Sequence, residues 1–142
     1  MSLRRASISE IKSGEISKKD GLLIVTMRMY PRFLSRTLVD DYRPLLSPQK
    51  DLFERYREIK NRIGDQNEAF ELAQYQHEFA LSPEGLQVLR ELAETSKHQD
   101  IYMICQCAKN ERCHVDLMLL IAQKKWGSEI ADLSHAYTKF RP

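Results

Sequence analysis

Apolar residues recur along this chain in two rhythms. Leu22-Leu23-Ile24-Val25-Thr26-Met27 and Ile101-Tyr102-Met103-Ile104-Cys105 are short unbroken runs, partly β-branched. Such runs belong to strands buried on both faces. Elsewhere the spacing is helical. Leu52, Tyr56, Ile59 and Ile63 follow Ser47-Pro48 and end at Gly64, so a helix is predicted with serine as its cap and proline in its first turn. A second helix is expected from about Asn67 to Ala80. Ser82-Pro83 repeats the start signal ahead of Leu86, Leu89, Leu92 and Ala93. Val115, Met118, Leu119, Ala122 and Trp126 line one face of a last helix, closed by Gly127.

The remaining segments are weaker in pattern. Residues 4–9 read as a short strand, Gly14 to Gly21 as a polar turn, and Ile130 to Leu133 as a short last strand. Pro31 ends the first apolar run, because proline cannot donate to a central ladder. Residues 32–46 read as loop with some helix. The order predicts an α/β fold: one domain over 1–142, three-layered, with a mostly parallel sheet and a helical insertion between its central strands. Residues 1–3 and 134–142 are expected to be mobile or loosely docked. A helical bundle carrying two hydrophobic strands is the alternative.

Charge excludes little. Lys and Arg number 22 against 20 Asp and Glu, so any anion site must come from local clustering. No run approaches the roughly 20 apolar residues that cross a bilayer, and no secretory leader follows Arg4-Arg5, so a cytoplasmic protein without a membrane partner is expected. The three cysteines fall within nine residues, which is no disulfide framework.

That cysteine segment carries the chemistry. Cys105, Cys107, Cys113 and His114 run from a strand end, through a loop, into a helix start. Ligands of open parallel sheets bind outside the carboxyl ends of strands, and helix N-termini there favour anions. Three uses of the thiols compete. All four residues can ligate a metal, zinc being the natural choice, although C-x-C-x₅-C-H is not a common zinc spacing. Alternatively Cys107 or Cys113 is a catalytic thiolate with His114 as its base, its pKa lowered by the helix terminus and by Arg112 or a protonated His114. Or the thiols are small core residues and His114 pairs with Asp116 or a backbone carbonyl.

A second constellation follows the first apolar run. If the two strands are parallel neighbours, Arg28, Tyr30 and Arg32 lie beside the cysteine loop, with Arg36 further on. Arginine grips phosphate or carboxylate and Tyr30 can stack on a ring, giving a subsite for a small anionic, phosphorylated or nucleotide-like ligand. The competing reading is an exposed basic loop. A non-enzymatic nucleic-acid module using Arg32, Arg36, Lys18 and Lys19 is the alternative function. His77, among Phe70, Ala73 and Ala80, reads as a core histidine.

Two stretches resemble a known family. Asp20-Gly21-Leu22 through Arg28-Met29-Tyr30-Pro31-Arg32, then Leu46-Ser47-Pro48, is similar to the YeaO-like bacterial proteins of domain of unknown function 488. Cys105 and Cys113-His114 match that family's strand-end cysteine and C-H pair at the same separation. Met27, Tyr30, Phe33, Cys107 and Val115 depart from its usual Asp, Trp, Gly, acidic residue and Arg. The second cysteine of C-x-C…C-H-x-D is similar to another bacterial family. The resemblance implies an α/β fold with a site at these strand ends, and no particular reaction. The sequence leaves the substrate, the reaction, the choice between enzyme and binding protein, and the oligomeric state open.

Overall fold

The two apolar runs become the two central strands of one sheet. The computed structural model describes residues 1–140. Its strands are β1 (Leu3–Ser7), β2 (Leu22–Val25), β3 (Asp41–Tyr42) and β4 (Ile101–Cys105), all parallel, in the order β1-β4-β2-β3. In register, Val25 of β2 faces Ile104 of β4, and Ser7 of β1 faces Cys105. Four helices fall between β2 and β4 in sequence: α2 (Lys50–Ile63), α3 (Gln66–Leu72), α4 (Tyr75–Glu78) and α5 (Pro83–Thr95). The expected α/β architecture with a helical insertion is thus present. The last helix, α6 (His114–Trp126), follows β4 directly and ends at left-handed Gly127.

The sheet's two faces are covered unequally. Side chains alternate along each strand. Leu3, Ile24, Ile101, Met103 and Cys105 face the helices from α2 to α6. Ala6, Leu23, Val25 and Ile104 face a thinner layer, made by the short helix α1 (Ile8–Lys12) and by Leu34 and Val39 of the segment between β2 and β3.

Several local expectations change for identifiable reasons. Residues 4–9 do not stay extended. Ser7 caps α1 in a capping box, its hydroxyl accepting from the Glu10 N–H at 3.2 Å while the Glu10 carboxylate accepts from the Ser7 N–H at 2.9 Å. Ser47-Pro48 does not start α2, because the Ser47 hydroxyl donates instead to the Pro44 carbonyl at 2.6 Å and Gln49 occupies the cap. The helix expected over 67–80 breaks into α3 and α4 at Gln74, whose φ of 56° is left-handed. The break rephases the segment, so His77 is exposed, not a core residue, and Gln76 is buried in its stead. Residues 130–133 contribute one parallel bridge, Ile130 to Leu3, rather than a strand. Both ends expected to be loose are engaged: Leu3 is fully buried, and Tyr137 is 3% exposed. Arg141 and Pro142 of the tail lie outside the described residues. Gly21 admits no side chain, since a Cβ would lie 2.3 Å from the Asp100 carbonyl oxygen. No described helix is long and apolar enough to cross a membrane.

Candidate active site

β4 ends at Cys105 in the middle of the sheet, and its neighbour β2 ends beside it. The chain after β4 turns outward through Cys107 and returns at Cys113, the cap residue of α6. Strand end and helix start therefore converge, and the sulfurs of Cys105, Cys107 and Cys113 all lie within 4.8 Å of one another. All three are free thiols. Cys105 and Cys113 are buried, and Cys107 alone is partly exposed. They form the floor of a cleft of about 340 Å³.

The three thiols are inequivalent. The Cys107 thiol is held well below its ordinary value, because the Cys105 and Cys113 thiols donate to its sulfur and outweigh burial. The Gln66 side-chain amide donates as well, at 3.1 Å. Cys105 is pushed up by acting as that donor. Burial pushes Cys113 up, reinforced by its two neighbours. One negative charge on Cys107, shared by two S–H groups and one N–H, is the arrangement this geometry favours.

His114 opens α6 and is buried. Its Nε2 lies 3.2 Å from the Thr26 carbonyl oxygen, at the carboxyl end of β2. A carbonyl only accepts, so Nε2 carries the hydrogen and Nδ1 keeps a lone pair. That Nδ1 lies 3.6 Å from Cys113 Sγ. Burial lowers the imidazole pKa, keeping the ring neutral. Of the partners expected for His114, the backbone carbonyl is the one found.

A permanent positive charge beside the buried thiols comes from Arg5 of β1, and His114 is neutral. Arg5 lies on β1, on the face shared with Leu3, and bonds Asp116 of α6 at 3.0 Å and the Ala108 carbonyl at 2.6 Å. Burial works against its charge, but Cys113, Cys105 and Asp116 together raise its pKa. Asp116 also accepts from the Tyr137 hydroxyl at 2.6 Å, and that hydroxyl oxygen accepts from the Cys113 N–H at 3.4 Å. Arg112 lines the cleft with its guanidinium engaged, donating to the Ala136 carbonyl at 2.8 Å, pairing with Glu71 at 3.6 Å and lying over the Tyr137 ring. None of Arg5, Gln66 and Tyr137 belonged to the expected site. No sequence signal marks them, since each reaches the cysteine segment only through tertiary contacts.

The remaining expected residues divide. Arg28 is exposed and lines the cleft, joined there by Arg57 of α2. Neither forms an ion pair with a side chain among the described residues. Phe53 and Tyr56 of α2 supply an apolar wall, and Tyr56 packs edge-on against Tyr75. Tyr30 and Arg32 do not line this cleft. Tyr30 packs against the other face of the sheet, edge-on to Tyr42 with Arg36 4.2 Å over its ring. Lys18 and Lys19 precede β2, whereas Arg36 sits by Tyr42 at the carboxyl end of β3, so these cations occupy opposite ends of the strands. For a metal, the three cysteines are close enough to bind one ion together, whereas His114 falls outside the mutually close group.

No curated protein and no solved structure matches the chain. The family model described as the active DUF488-N3 subclade matches residues 7–125, a span that runs from Ser7 to the last turn of α6 and contains all three cysteines and His114. The chain belongs to the DUF488 family.

Proposed function

We propose that this protein is a thiol-dependent enzyme of the reducing cytoplasm whose reacting group is the Cys107 thiolate. The observation that carries this reading is the placement of one partly exposed sulfur 3.1 Å from the Gln66 amide and within 4.8 Å of two buried thiols, on the floor of a cleft. A thiolate so held is nucleophilic without a separate base. Arg28 and Arg57 at the cleft suit a phosphate or carboxylate, and Phe53 and Tyr56 suit a planar ring, so the substrate class is a small anionic, nucleotide-like compound. Cys107 attacks an electrophilic carbon or phosphorus of that compound: an S–C or S–P bond forms, the bond from that atom to its leaving group breaks, the leaving group departs with the electron pair and takes a proton from solvent, and Arg28 orients the anion.

The test is thermal stabilisation by a panel of nucleoside monophosphates and inorganic phosphate, for the wild type and Arg28→Ala. A midpoint shift in the wild type that shrinks in the variant is expected. Absence of any shift, or one indifferent to Arg28, overturns the substrate reading.

The mutual closeness of the three sulfurs favours a second reading, in which they bind zinc and leave a fourth position open for substrate. Metal analysis of freshly purified protein separates the two. About one zinc per chain, lost in Cys113→Ser, supports the metal. Metal-free protein with a reactive Cys107 supports the thiolate.

A further inference from the structure

The site holds more sulfur than a nucleophile needs. A single thiolate suffices for attack, yet two further thiols lie within 4.8 Å of it, both buried and both reduced. They differ in what surrounds them. Apart from the Cys107 sulfur, which both buried thiols approach, the nearby acceptors of the Cys105 thiol are backbone carbonyls, those of Ala6 at 3.7 Å and Cys107 at 3.9 Å, which cannot take up a proton. The Cys113 thiol faces the lone pair of His114 Nδ1 at 3.6 Å, and the Thr26 carbonyl fixes the tautomer that keeps this lone pair available. One cysteine of the buried pair therefore has a base and the other has none.

The geometry points to a second activity, reduction of a hydroperoxide, in which Cys107 is the peroxide-reacting thiol and Cys113, deprotonated by His114, is its resolving partner. It rests on Cys107 being the reacting thiolate. In the first step the Cys107 sulfur attacks one peroxide oxygen. An S–O bond forms, the O–O bond breaks, and the leaving alkoxide or hydroxide takes a proton from solvent. Sulfur loses two electrons to become a sulfenic acid, and the peroxide is reduced to an alcohol or water. In the second step Cys113 gives its proton to Nδ1 and its sulfur attacks that of Cys107. An S–S bond forms and the S–O bond breaks. The departing hydroxide recovers the proton from the imidazolium as water. An external dithiol then restores both thiols and is itself oxidised to a disulfide.

The experiment treats the reduced full-length protein with equimolar hydrogen peroxide, unfolds it in denaturant with iodoacetamide to block the remaining free thiols, and maps the peptides without reduction. The expected product is a Cys107–Cys113 disulfide with Cys105 reduced. In Cys113→Ser a Cys107 sulfenate accumulates and is trapped by dimedone. In His114→Gln consumption of the Cys107 thiolate keeps its rate while the disulfide forms on the order of a hundredfold more slowly. A histidine with a merely structural role would change both steps together. A Cys105–Cys107 disulfide, or a wild type in which Cys107 proceeds to sulfinic acid while Cys113 stays reduced, overturns the inference. If Cys107 alkylates fast but forms no bond to Cys113, the redox pair fails and the thiolate stands. If Cys107 reacts with neither reagent, both fail.

Discussion

The segments that follow β2 and β4 leave the same end of the sheet yet are built in opposite ways. The segment after β4 is short and tied down on every side. Arg5 holds the Ala108 carbonyl, Gln66 donates to Cys107, and the Arg112 N–H donates to the Asn67 side chain at 2.8 Å. The segment after β2 is long, and Arg28, Met29, Arg32 and Phe33 stand in solvent. The reacting sulfur therefore sits in a hydrogen-bonded frame, while the Arg28 charge that would select a ligand sits on an exposed segment. Rigid first contacts suit bond-making chemistry, and exposed loops suit recognition. The contrast predicts that disturbing the first segment damages stability and reactivity together, and that disturbing the second changes binding alone.

The largest effect is expected at Asp116. Asp116→Ala removes the carboxylate that pairs with Arg5 and accepts from Tyr137, leaving a largely buried cation and a buried hydroxyl without their partner. Breaking a buried pair in this way costs about 3–5 kcal/mol, measurable by urea denaturation. A loss below 1 kcal/mol would mean that the frame does not depend on this network.

Gln66→Leu comes next. It removes a hydrogen bond to a charged sulfur, worth about 1.5–3 kcal/mol, and so moves the acid limb of the thiolate ultraviolet absorbance upward by about one pH unit or more. An unmoved limb would show that Gln66 plays no part in holding the charge.

Stability should also fall on the acid side. The folded-state values of Cys107 and His114 are both depressed, from 9.0 and 6.5 respectively, so the unfolded chain binds protons that the native chain does not. The stability these groups contribute is present above those unfolded values and is lost as pH drops. Each proton of difference gives a slope of about 1.4 kcal/mol per pH unit. Below pH 6.5 both groups contribute, so His114→Gln should remove about one proton's worth of slope there and leave the Cys107 slope, which begins at 9.0 and continues downward, in place. Cys105 and Cys113, both raised, give the opposite slope above 9.0.

The smallest effect tests the exposed segment. Arg28→Ala should weaken nucleoside monophosphate binding by about tenfold, near 1.4 kcal/mol, with the alkylation rate of Cys107 unchanged. Equal losses in both would erase the distinction between the two segments.

The legibility of these features in sequence follows the same division. The floor of the site was readable because Cys105, Cys107, Cys113 and His114 are contiguous and lie between an apolar strand run and a helical face. β2 and β4 were readable because strands buried on both faces need unbroken apolar runs. Arg5 and Gln66 were not, since each reaches the cysteine segment only through tertiary pairing, and β3 pairs through two residues that carry no apolar pattern. Ser7-x-x-Glu10 was a visible capping box overshadowed by the adjoining strand. Tyr30 failed to reach the cleft because the chain after Met29 turns it onto the opposite face of the sheet, and Arg32 stands in solvent, a path that spacing alone does not encode.

Alkylation of each cysteine by iodoacetamide, resolved by peptide mass spectrometry between about pH 5 and pH 9, tests the central claim most directly. The account predicts that Cys107 reacts first, at a rate that stays flat across the range, while Cys105 and Cys113 remain protected until the protein unfolds. A Cys107 rate that climbs about tenfold per pH unit toward an ordinary thiol near 8.5, or prior reaction of either buried cysteine, would contradict it.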